Sequence, residues 1–202
     1  MTFLTRFGIA GGLIAGAFLG VPGILESFIG KATGTSFVLA FSGFFALPLL
    51  TALYLNLPRR RRFDDIGYAV SIVGTGLFGA AAFVQDAVLV HLDRAAQQDL
   101  LRGSPRLALL IGVATFIVGA VLFGTSLIRS GRYPRIPSFA YPVVLPVFAV
   151  SATLPYSPYK GFAHAALAAV LIWLALDLTA RQRPATAAAE PDPAAAAAVR
   201  MT

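Results

Sequence analysis

LALLIGVATFIVGAVLFGTSLI, residues 107–128, runs for twenty-two residues without a charge. As an α-helix it would be roughly 33 Å long, close to the roughly 30 Å hydrocarbon core of a bilayer. The stretch shows no stripe of polar residues for water to meet, so the solvent it was built for is lipid.

Reading outward from it, comparable runs lie at Phe7–Leu25, Phe37–Leu57, Ile66–Val84 (with an extension toward Leu92), Ile136–Pro155 and Gly161–Ala180. The expectation is an all-α, polytopic transmembrane helix bundle of six spans. Composition agrees, with 57% hydrophobic and 12% charged residues where soluble domains carry roughly 25% charged. Arg6 before the first apolar run resembles the start of a secretory signal, but the run exceeds the 7–15 residues or so of a signal core, which predicts an uncleaved first helix. The fifth run is the weakest. Pro137, Pro142, Pro146 and Pro155 each remove a backbone donor, so re-entry without crossing is the alternative.

The net charge of +7 does not read as a nucleic-acid surface, because the basic residues sit between apolar blocks and not along one amphipathic face. They read as topology. With an N-in start, the inner segments hold eleven Lys and Arg, among them Arg59–Arg62 and Arg129, Arg132 and Arg135, against five outside. The positive-inside rule then sets both termini on the cytoplasmic side of an inner (plasma) membrane. Residues 1–183 form the bundle, and the Ala/Pro-rich 184–202 is expected to be a disordered cytoplasmic tail.

Local punctuation supports these boundaries. Gly103 ends one helix and Ser104-Pro105 opens the next, Ser157-Pro158 repeats the device, and Asp64 and Asp65 suit a helix N-terminus. The stretch Ala87–Leu101 reads as an interfacial helix with Val88, Leu89, Leu92, Ala96 and Leu100 on one face. Tyr156, Tyr159 and Phe162 read as interfacial belt residues, Trp173 falls within the sixth span, and Asp177 is placed to pair with Arg181 one turn on.

Small residues suggest how the helices associate. Gly8, Gly12, Gly16 and Gly20 recur every fourth residue, a glycine-zipper pattern, and Gly67, Ser71, Thr75 and Gly79 form a like stripe on the third span. In lipid, close backbone approach drives association, so the simplest expectation pairs these two faces inside one chain; a contact between copies is the alternative.

Motifs for soluble chemistry fail. Gly74-Thr-Gly76-Leu-Phe-Gly79 spells a dinucleotide fingerprint without the preceding strand or aqueous pocket it needs. With no cysteine, thiol catalysis and thiolate metal sites are excluded. No cofactor is implied. The polar residues worth attention are Glu26, Gln85, Asp86, His91 and His164, which the topology sets near the outer helix ends as a vestibule. Two histidines with Glu26 or Asp86 could complete a His/His/carboxylate metal set, but no metal is assigned. Three functions stay open: a small transporter or channel subunit using the vestibule; a non-catalytic structural or accessory subunit, with a homo-oligomeric or other membrane-protein partner; and an intramembrane enzyme with Asp86 and a histidine as acid and base. No specific family is implied.

Overall fold

The structure, a computed structural model, describes residues 2–30, 33–100, 102–153 and 159–181. Among the described residues seven α-helices follow in order: α1 (Phe3–Ile29), α2 (Thr33–Leu55), α3 (Arg62–Phe83), the short α4 (Arg94–Leu100), α5 (Ser104–Ser130), α6 (Arg135–Thr153) and α7 (Tyr159–Ala180). All but α4 are long and apolar enough to cross a membrane. The chain is therefore an all-α bundle of six membrane-span-length helices, and the outward faces agree: Phe3, Phe28, Val73, Val118 and Phe162 all point away from the core. In water so much exposed apolar surface would drive aggregation, whereas lipid solvates it.

Each long helix packs against its neighbours in sequence, and α7 returns to α1, so the six close into a ring. Short connections enforce this order. One end of the ring collects the starts of α1, α3 and α6 with the ends of α2, α5 and α7. There the Tyr133 hydroxyl donates to the Leu53 carbonyl at 2.7 Å, and Arg181 meets Asp177 at 2.6 Å, the pair anticipated from the spacing.

The fifth apolar run forms one helix despite Pro142 and Pro146. Its proline face is packed, since a Cβ built on Gly124 would lie 2.7 Å from Pro142 Cβ. Helix starts follow the local chemistry. The Asp64 carboxylate accepts the Arg61 backbone N–H at 2.9 Å, and Gly103, with φ +71°, precedes Ser104 and Pro105 at the head of α5. The Ser157-Pro158 device, Tyr156 and the expected tail lie outside the described residues.

The two small-residue stripes do not pair with each other. Cβ atoms built on Gly8 and Gly12 would meet α2, at the Pro48 carbonyl oxygen (2.6 Å) and Leu49 Cδ2 (2.8 Å); those on Gly16 and Gly20 would meet α7, at Ile172 Cγ1 (2.5 Å) and Ala168 Cβ (2.9 Å). The α3 stripe turns mainly to α5: Gly67 approaches Leu122, and Ser71 approaches Gly119. Gly79 faces Gly43 of α2. The reason is topological. Because α2 stands between α1 and α3, each ridge is taken up by its ring neighbours, and the pairing expected from sequence gives way.

The segment after α3 also differs from a single interfacial helix. The α3 backbone widens into a π-turn at Val84–Val88, tightens into a 3-10 turn at Leu89–His91, and breaks before α4. Asp93 Oδ1 accepts the Ala96 N–H at 2.8 Å, and Gln97 Nε2 donates to the carbonyls of Leu89 (2.7 Å) and Leu92 (2.8 Å). The elbow is thus tied down by hydrogen bonds.

Candidate functional site

Inside the ring lies a cavity of about 510 Å³. Its wall follows helical periodicity on every side. α6 contributes Tyr141, Leu145, Phe148 and Ala152, and α3 contributes Thr75, Phe78, Gly79 and Ala82. These i, i+3, i+4, i+7 spacings are the inward stripes of amphipathic-like helices whose other faces meet lipid. On α2 the lining runs from Leu39 to Leu53, roughly 21 Å of helix rise, so the cavity extends through much of the bundle.

The two ends of the cavity differ. At one end the lining includes Gln85, Asp86, Gln97, Arg106 and His164; Gln85 and Arg106 are exposed, so this end reaches the surface. At the other end the lining reaches Leu53, whose carbonyl is bonded to Tyr133 beneath the cavity. Tyr133 lies between spans, and burial pushes its phenol well above the ordinary tyrosine range. The Tyr133–Leu53 bond and Leu57, buried beside it, close the arginine-rich end.

Aromatic rings cross the interior. Phe116 stacks on Phe78 at 4.6 Å between centroids, Phe78 meets Phe148 edge-on at 5.7 Å, and Phe148 meets the His164 ring edge-on at 5.0 Å. Four helices are joined by this chain, and all four rings border the cavity. Deeper, the Tyr141 side chain is fully buried, and its hydroxyl faces Ser71 without hydrogen-bond geometry. That hydroxyl has no accessible surface, so a ligand in the cavity does not reach it.

Three of the five polar residues anticipated from sequence come together here: Gln85, Asp86 and His164. The π-turn carries Gln85 and Asp86, a widening that inserts an extra residue into the helical turn and recurs at functional sites. His164 Nδ1 lies 2.6 Å from the Lys160 carbonyl oxygen, which only accepts; Nδ1 therefore bears the hydrogen, and in the neutral ring Nε2 is the acceptor. Gly23 makes room for this ring, since a Cβ there would lie 2.5 Å from His164 Cγ.

Glu26 and His91 stand apart from the cavity. Glu26 is buried one turn beyond Gly23, where its Oε1 accepts hydrogen bonds from Thr35 (2.7 Å) and Ser36 (3.0 Å) at the start of α2. The carboxylate is thus satisfied by hydroxyl donors and ties the α1–α2 hairpin together. His91 is exposed on the 3-10 turn. The His/His/carboxylate set does not assemble, and among the described residues no three His, Cys, Asp or Glu side chains converge as for a metal ion.

Sequence reading passed over Gln97, Arg106 and Tyr141. Gln97 sits in α4 between spans and Arg106 at the very start of a span, where a polar residue is unremarkable, and a tyrosine in a span reads as a belt or core residue until its neighbours are known. The early signal was the place of Arg106, in the first turn of α5 and beside the polar end of the third span. Comparison with known proteins finds no family model that matches the chain, and no match among curated proteins or solved structures.

Proposed function

We propose that this is a multi-pass membrane protein of the transporter type, binding an amphipathic small molecule in the central cavity. The observation that carries this reading is the cavity itself: an apolar, phenylalanine-walled interior with Asp86, Arg106 and His164 at its open end. Such a lining suits a ligand with an apolar body and a polar or ionic group held at the mouth. Both termini and the arginine-rich end are assigned to the cytoplasm of an inner membrane, so the open end faces outward. Alternating access would need the Tyr133–Leu53 closure to open.

The structural-subunit reading has less to draw on. The glycines offered to a partner already touch α2, α5 and α7 within the same chain.

The test is extraction of the full chain from native membranes in mild detergent, followed by mass spectrometry of what it carries. A small molecule should accompany the wild type near stoichiometrically, fall in Asp86→Asn and His164→Ala, and be unchanged in His91→Ala, which alters an exposed side chain outside the cavity. Equal cargo in all four proteins, or bulk lipid alone in each, would leave the cavity without a function.

A further inference from the structure

The closed end of the bundle holds a second cavity, of about 230 Å³, between the α2–α3 connection and the last turn of α5. Its polar lining is Arg59, Arg61, Asp64, Ser126, Arg129 and Ser130. Three guanidiniums face one carboxylate, so the pocket has an excess of positive charge. Asp64 Oδ2 accepts the Arg61 backbone N–H at 2.9 Å, and its single negative charge leaves the lining net positive. The salt bridges Asp99–Arg102 and Asp177–Arg181 leave these three arginines aside.

The serine hydroxyls spend their hydrogens on helix carbonyls, Ser126 on Leu122 and Ser130 on Leu127. The donors available to a ligand are therefore the guanidiniums. One of them is oriented, because Arg129 lies over the Phe63 ring at 5.4 Å. Nearby, Arg132 has its Nε buried without an acceptor, a further sign that donors outnumber acceptors at this end.

We infer that this pocket binds the phosphate of an anionic phospholipid headgroup. Guanidinium forks match phosphate oxygens bidentately, and basic pockets between helices at a membrane edge are suited to such headgroups. Depth favours a lipid over a soluble phosphate: the charge-free run 107–128 ends one residue before Arg129, where hydrocarbon gives way to headgroups. The helices that wall the pocket also expose Ile66, Val73, Val118 and Val121 outward, an apolar surface for acyl chains.

The experiment uses the full chain in neutral detergent, with native mass spectrometry after adding phosphatidylglycerol or phosphatidylcholine of identical acyl chains. Phosphatidylglycerol should be retained preferentially, and Arg61→Gln and Arg129→Gln should each cut that preference by about fivefold. Arg102→Gln, at the opposite end, should not change it. Thermal melting verifies that each variant is folded; should Arg129→Gln fail, Arg59→Gln, outside any helix, carries the comparison. Equal retention of the two lipids, or an unchanged preference in folded Arg61→Gln and Arg129→Gln, overturns the inference. Inorganic phosphate raising the melting temperature while phosphatidylglycerol does not would assign the site to a soluble anion and reject the lipid.

Discussion

A Cβ built on Gly74 would lie 2.6 Å from Phe116 Cα, and one on Gly43 would lie 2.8 Å from Gly79 Cα, whereas one on Gly76 would meet nothing within 4 Å. The first two clash with backbone, which cannot swing aside as a side chain would. Gly74→Ala and Gly43→Ala should therefore lower stability in detergent by about 1–3 kcal/mol, while Gly76→Ala should be neutral or slightly stabilising because alanine favours the helix. Thermal melts of the three variants check this; a Gly76→Ala loss equal to that of Gly74→Ala would refute the packing account. Tyr141 supports a prediction of another kind. Its buried hydroxyl makes no hydrogen bond in the structure, so Tyr141→Phe should leave stability unchanged or raised and cargo retention unchanged, measured by melting and mass spectrometry side by side.

At the scale of elements, the connections govern the two ends of the ring. Tyr133, between α5 and α6, closes the arginine-rich end through a buried hydrogen bond, and Tyr133→Phe should cost about 1 kcal/mol. The sign of its pH effect follows from burial. The folded phenol has a raised pKa, so its contribution is fully present below the unfolded value near 10 and is lost as pH rises through the higher folded value. Alkaline melting curves should consequently fall less steeply for Tyr133→Phe than for wild type. At the other end, Gln97 bridges the 3-10 turn and the approach to α4 by two side-chain bonds. Gln97→Ala should speed amide hydrogen exchange across 84–100 and leave 107–128 unaffected. Uniform acceleration throughout the bundle would instead mean that the elbow is not a separate unit.

For the whole molecule, the ring with one open end makes a prediction about access. The chain contains no cysteine, so single cysteines can be read without background. A cysteine at Gln85 should react with a membrane-impermeant maleimide added from one side of oriented vesicles, and one at Leu53 should resist from both. With six crossings the termini share a side, so tags at the two ends should report the same face. Opposite faces would remove one span and the assignment of the open end with it.

Span number and helical class were legible in the sequence, because lipid imposes a length and a hydropathy that each segment must meet by itself. Residues 107–128 announce a span whatever surrounds them, and the Asp177–Arg181 pair follows from spacing within one helix. Which helices touch is not written in any one segment. The glycine stripes of α1 and α3 were assigned to each other, whereas their glycines approach α2, α5 and α7, since a small residue records that a neighbour comes near without recording which neighbour. The same holds for the polar residues: Asp86 and His164 reach one cavity from different helices, Glu26 is taken by Thr35 and Ser36, and a widened turn leaves His91 facing outward. Convergence depends on ring order and on rotation about each helix axis, and both are decided by the packing of all six helices together.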